Sequence, residues 1–193
     1  MNDEIREGFD RVTEILSPFT GLDKIDPVVL EAARSRGTEV HNIIDCIINK
    51  LGRFGEESEI VKNMVDSFMK WAEGKKLHAS DGRLYDEKLM ITGEIDCYYY
   101  NEDYKTVIVD FKTPASESKS WMLQATAYHY LYKLNSKTPG FVVPYVEFVR
   151  LDRKGGHPAV HKYIPNPDLF LAALETYRFF FKNKKFLITD DYL

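Results

Sequence analysis

The feature that most constrains this chain is the run Thr106-Val107-Ile108-Val109-Asp110-Phe111-Lys112-Thr113. Val107, Ile108 and Val109 form a continuous β-branched stretch, the pattern of a strand covered on both faces. The apolar stretch then gives way to Asp110 and Lys112, which stand two apart and so share one face of the strand. Upstream, Gly93-Glu94-Ile95-Asp96 sits in the preceding strand, one hairpin back. Antiparallel pairing of that hairpin can bring Asp96 beside Asp110. Adjacent carboxylates repel unless a proton or a cation lies between them. Hard oxygen donors with open positions suit Mg²⁺ or Mn²⁺. Read alone, Asp110 and Lys112 are a structural ion pair at a strand end, as ion pairs usually are.

The flanking pattern predicts an α+β layout. Val12, Ile15 and Leu16 make a short apolar patch closed by Pro18. Asp26-Pro27 reads as an N-cap followed by proline at the first helical position. That helix is expected to stop at Gly37, with Thr38 opening a second helix striped by Val40, Ile43, Ile44, Ile47, Ile48 and Leu51. After a turn at Gly52-Arg53-Phe54-Gly55, Ser58 opens a third helix with Ile60, Met64, Val65, Phe68, Met69 and Trp71 inward. Strands are expected over 77–85, 89–100 and 104–112, a meander with turns at 81–82 and 101–103. A helix over 119–134, strands over 141–151 and 160–164, and a last helix from Pro167 to about Asn183 complete the chain. Residues 1–193 are expected to form one domain: a mainly helical part to residue 75, the sheet and site over 76–165, and a C-terminal helix over 166–193.

Composition narrows the function. The 26 basic and 30 acidic residues give a net charge of −4, unlike the basic balance of a nucleic-acid-coating protein. Cations held at acidic side chains can still bring phosphate to an acidic protein. Cys46 and Cys97 are the only cysteines and neither belongs to a CxxC pair. That excludes a cysteine zinc site or a four-cysteine iron–sulfur cluster and suggests a reducing, cytoplasmic setting. No apolar run reaches the roughly 20 residues of a membrane span, and the acidic start Met1–Glu7 is neither a signal nor a transit peptide. No phosphate-cradling G-x-x-x-x-G-K-[ST] loop is present.

Two further segments complete a pattern. Arg36-Gly37-Thr38-Glu39-Val40-His41 places a histidine in a helix, and Gln124 and Tyr128 stand four apart on one helical face. Arg-Gly-Thr-x-x-His, Gly-x-x-Asp, apolar-Asp-x-Lys-Thr and Gln-x-x-x-Tyr, in that order, resemble the RecB-type exonuclease branch of the PD-(D/E)xK nuclease superfamily. The neighbourhood includes the mitochondrial genome maintenance exonuclease and the CRISPR-adaptation exonucleases. The resemblance runs from about Arg36 to Tyr130, and it implies a restriction-endonuclease-like core: a small mixed sheet flanked by helices, with an N-terminal helical segment.

The resemblance implies that Asp96, Asp110, the Phe111 carbonyl and His41 bind Mg²⁺ or Mn²⁺. It makes Lys112 the residue that holds or activates the attacking water, with Gln124 and Tyr128 lining the cleft. Family members often carry a further acid before Gly-x-x-Asp, and Asp81, Glu87 and Glu94 are the acids near that place. Arg34 and Arg36 flank the histidine and are candidates for phosphate contact. The implied function is a metal-dependent deoxyribonuclease without an iron–sulfur cluster, an exonuclease by analogy, in repair, recombination or phage replication. Its substrate would be DNA that is single-stranded or has single-stranded ends, and a recombination or replication protein is the expected partner. An endonuclease with the same site, or a catalytically silent nucleic-acid-binding module, also fits the residues. Tyr98-Tyr99-Tyr100 reads as cover for a sheet edge, and Lys182, Lys184 and Lys185 as a solvated helix end. His78, His129, His157 and His161 share no spacing that assigns them a role.

Overall fold

The computed structural model of the protein describes residues 5–52, 57–80, 82–136 and 142–182. In chain order its elements are β1 (Asp10–Arg11), α1 (Val12–Leu16), α2 (Pro27–Ile48), α3 (Glu59–Ala72), β2 (Leu77–Ala79), β3 (Leu84–Asp86), β4 (Ile91–Gly93), β5 (Cys97–Tyr100), β6 (Thr106–Lys112), α4 (Ser120–Asn135), β7 (Val146–Arg150), β8 (Ala159–Tyr163) and α5 (Pro167–Phe181). The fold is α+β, with two mixed sheets ordered β2-β5-β6-β7-β8 and β1-β4-β3. In the larger sheet β6 and β7 run parallel and every other pair is antiparallel.

β6 is central and covered on both faces. Val107, Val109 and Phe111 pack with Val40 and Ile44 of α2 and Val65 and Phe68 of α3. Ile108 points the other way, into a cluster with Trp121 and Leu131 of α4, Phe148 of β7 and Phe170 of α5. The two-residue period therefore puts Asp110 and Lys112 on the α4 side, at the end of the strand.

Helix α2 differs from the expected pair of helices. Asp26 caps it as anticipated, its Oδ1 accepting from Val28 N at 2.9 Å and Val29 N at 3.2 Å. It then passes through Gly37 without a break. Gly37 is absent from the positive-φ residues, and a Cβ there would lie 3.2 Å from Thr113 Oγ1. The glycine serves close approach to the chain leaving β6, not termination.

The expected meander differs as well. The two longer strands foreseen over 77–85 and 89–100 are each divided between the two sheets. The chain crosses from the small sheet to the large one at Glu94-Ile95-Asp96, between β4 and β5. Gly93 makes that crossing possible, because a Cβ there would stand 3.0 Å from Leu131 Cδ1 and 3.1 Å from Tyr128 Cε1. β6 starts at Thr106 because Tyr104 closes the turn at positive φ. Met69 of α3 is 50% exposed rather than inward. The expected turn at 53–55, Asp81, Phe141 and the helix end near Asn183 lie outside the described residues.

Candidate active site

Register builds the site. Cys97 of β5 pairs with Val109 of β6, so Asp96, one residue before, arrives next to Asp110. Asp96 leaves the ladder at the sheet crossing, and its side chain takes the place of a backbone partner. Oδ2 accepts from Phe111 N at 2.6 Å and Oδ1 lies 3.0 Å from His41 Nδ1. Helix α2 thereby meets the sheet through His41.

A second chain of contacts links β6 to α4. Lys112 Nζ lies 2.7 Å from Asp110 Oδ2 and donates to Gln124 Oε1 at 2.8 Å. Gln124 Nε2 donates in turn to Tyr128 Oη at 2.7 Å. The Lys112 ammonium also stands over the Phe148 ring, 4.6 Å from its centroid. Gln124 is therefore buried between two site residues and does not face solvent. Tyr128 packs on Gly93, so the glycine of Gly-x-x-Asp and the tyrosine of Gln-x-x-x-Tyr are neighbours.

Charge is unevenly compensated. The Asp96 carboxylate pushes the His41 pKa up to about 9, against the opposing effect of burial. Burial works against the Asp96 charge, but His41 outweighs it and holds the carboxyl below the ordinary carboxylate range. Asp110 moves the other way. Burial raises its pKa, Lys112 opposes, and the Asp96 charge raises it further. Asp110 Oδ2 is buried and, despite the ion contact, lacks a well-directed hydrogen bond. Burial also raises the Tyr128 pKa well above that of a free phenol, keeping it neutral.

All of these groups line one cavity of about 730 Å³. His41, Asp96, Asp110, Lys112, Gln124 and Tyr128 come together there, with the Phe111 backbone. The Phe111 side chain turns away, edge-on to Phe68 and Trp71. Arg34 lies outside the cavity, exposed, 3.9 Å from Glu31. Arg36 also lies outside the lining, and its Nε is buried without a hydrogen-bond partner. Glu94 lines the cavity and pairs with Arg83 at 2.7 Å, whereas Glu87 pairs with Arg6 away from it. Sequence reasoning passed over Asn42 and Asp45 of α2, although Asp45 lies four residues after His41, a spacing that places it on the same helical face.

Among the described residues, no three His, Cys, Asp or Glu side chains converge on a common metal position. His41 and Asp96 are turned onto each other, and Asp110 onto Lys112. The donor set nevertheless fits a hard divalent cation: two carboxylates, an imidazole and an adjacent backbone carbonyl, with an under-satisfied buried oxygen on Asp110.

No family model and no curated protein matches the chain. Two solved structures resemble it in fold. The crystal structure of SSO0001 has a TM-score of 0.50 and 9% identity, covering 91% of this chain and 78% of that one. An alkaline exonuclease, LHK-Exo from Laribacter hongkongensis, has a TM-score of 0.46 and 9% identity, covering 89% of this chain and 84% of that one. Among the described residues, no helix is long and apolar enough to cross a membrane.

Proposed function

We propose that the chain, as a single domain over residues 1–193, is a divalent-metal-dependent deoxyribonuclease of the RecB-type branch, acting as an exonuclease. The observation that carries this reading is the continuous constellation His41–Asp96 and Asp110–Lys112–Gln124–Tyr128 on one cavity wall. A structural ion pair at a strand end would need neither the second carboxylate nor the buried glutamine that holds the lysine.

Asp96, Asp110, His41 and the Phe111 carbonyl would hold Mg²⁺ or Mn²⁺. When bound, such a cation supplies a Lewis acid for a phosphoryl oxygen and lowers the pKa of water. His41 must release its proton to serve as a ligand. Lys112 holds fixed positive charge in a half-buried position, where it offsets charge that develops on phosphate oxygens during hydrolysis. Gln124 keeps that ammonium oriented by accepting from it, while its amide is anchored on Tyr128. Tyr128, neutral and packed on Gly93, fixes α4 against the sheet crossing that presents Asp96.

Digestion of end-labelled linear and covalently closed circular DNA, single-stranded and duplex, with Mn²⁺ and with EDTA tests this function. We expect Mn²⁺-dependent loss of linear DNA from its ends, with circles left intact. Cleavage of circles assigns an endonuclease at the same site. No cleavage of any substrate in Mn²⁺ or Mg²⁺ rejects the nuclease reading.

A further inference from the structure

Next to the proposed active site lies a second, smaller cavity of about 240 Å³. Pro114 lines both. Arg150 and Arg153 line the smaller one. Arg150 is the register partner of Lys112 on the neighbouring parallel strand, so it belongs to the same end and the same face of the sheet. Arg150 donates from Nη1 to the Ala115 carbonyl, and Arg153 from Nη2 to the Thr113 carbonyl at 3.1 Å. Arg36 lines neither cavity and stands on α2 beside the glycine that packs on Thr113. Burial lowers the Arg153 pKa, and the Arg36 charge lowers it further.

The Arg150 and Arg153 guanidinium groups thus hold the loop Thr113–Ala115, with Arg36 of α2 beside it. Among the described residues, none of them has a carboxylate within ion-pair distance. The Nε of each is buried and has no hydrogen-bond partner. Each such donor is costly to leave unmade, and clustered like charges add repulsion. A bound anion would offset that repulsion. The one carboxylate of the cavity, Asp152, is already occupied by loop amides, accepting from Gly156 N at 2.8 Å and Lys154 N at 3.2 Å. Planar guanidinium forks suit phosphate oxygens.

We propose that Arg36, Arg150 and Arg153 form a phosphate-binding subsite that grips the DNA strand one step away from the cleavage cavity. The subsite rests on the nuclease reading for its ligand class and not for its chemistry. It explains how a chain of net charge −4 can hold a polyanion without relying on the metal alone.

The test is binding of fluorescent single-stranded oligonucleotides in EDTA, across a salt series. Arg36→Gln is the primary variant, because among the described residues Arg36 makes no hydrogen bond whose loss would unsettle the fold. Arg153→Gln and Arg36→Lys accompany it. Both glutamine variants are expected to weaken binding about tenfold, the scale of one charge-assisted hydrogen bond. Each should lower the slope of log affinity against log salt by about 0.7, the single-strand value for one phosphate contact. Arg36→Lys should keep most of the slope.

Oligonucleotides with hydroxyl or phosphate termini separate the two sources of the anion. Arginine dependence on all-hydroxyl strands assigns a backbone diester; dependence only with a terminal phosphate assigns a strand end. Wild-type affinity and salt slope in Arg36→Gln, or no DNA binding by the wild type, overturns the subsite. Arginine-dependent binding without Mn²⁺-dependent cleavage leaves the subsite standing and removes the nuclease reading. Cleavage with arginine-independent binding does the reverse.

Discussion

Lys112 has three contacts that bear on its role: Asp110 Oδ2, Gln124 Oε1 and the face of Phe148. A lysine that stabilises the transition state contributes little to ground-state grip. Lys112→Ala is therefore expected to lower kcat by about 10²-fold or more, the scale of one preorganised electrostatic donor. DNA affinity in Ca²⁺ should change much less. Lys112→Arg should not restore the rate, because a planar fork does not fit where Gln124 and Asp110 already seat a compact ammonium. Normal cleavage by Lys112→Ala together with a lower melting temperature would make the lysine a structural ion-pair partner. His41 supports a different prediction. Its pKa in the metal-free fold, about 9, lies above the ordinary value of 6.5. The stabilisation from its pairing with Asp96 is thus fully present below about 6.5 and lost as pH rises through about 9. Urea denaturation in EDTA should show wild type losing its advantage over His41→Gln across that interval. A stability difference that stays flat from pH 6 to pH 10 would contradict the pairing.

Among the elements, the crossing from β4 to β5 matters most to the site. It ends the small sheet, starts the large one and presents Asp96, and it depends on Gly93 fitting beneath Tyr128 and Leu131. Gly93→Ala should cost about 1–3 kcal/mol by overpacking, measured by chemical denaturation. It should also reduce activity, since the displaced Tyr128 ring anchors Gln124 and through it Lys112. Unchanged stability would mean that α4 gives way freely and that the glycine has no packing role. The elements also show where sequence was informative. β6 was legible because its β-branched run and the Asp110/Lys112 spacing are local signals. So was the Asp26–Pro27 helix start, which rests on one side chain and one ring. The division of residues 77–100 between two sheets was not legible, because neither the close approach at Gly93 nor the choice of sheet is written in a two-residue period. Gly37 misled for a related reason: its neighbour across the gap is Thr113, far away in sequence.

On the scale of the whole molecule, two helical layers clamp one sheet, and the site forms where both reach the same strand end. α2 brings His41, α4 brings Gln124 and Tyr128, and β6 carries Asp110 and Lys112 between them. That convergence was partly legible from the order of motifs, but the burial of Gln124 and the arginine cluster beside the loop were not. Arg150 and Arg153 carried no pattern in sequence, because their meaning comes from the register of β7 on β6. The metal assignment is a property of this whole assembly. Asp96→Asn and Asp110→Asn should each keep the fold, Asp96→Asn at lower stability because it loses its charge pairing with His41, Asp110→Asn most readily because burial already favours its neutral form. Each should lose Mn²⁺ binding in calorimetry. Undiminished Mn²⁺ affinity in both variants would remove Asp96 and Asp110 as ligands.

The most direct measurement is a single-turnover cleavage assay on end-labelled DNA, comparing wild type with Asp110→Asn at matched protein concentration while Mn²⁺ is titrated. Wild type is expected to cleave with a saturable Mn²⁺ dependence that EDTA abolishes, and Asp110→Asn to remain folded and inert at every Mn²⁺ concentration. Equal cleavage by the two proteins, or wild-type cleavage that persists in EDTA, would contradict a metal-dependent nuclease centred on Asp110.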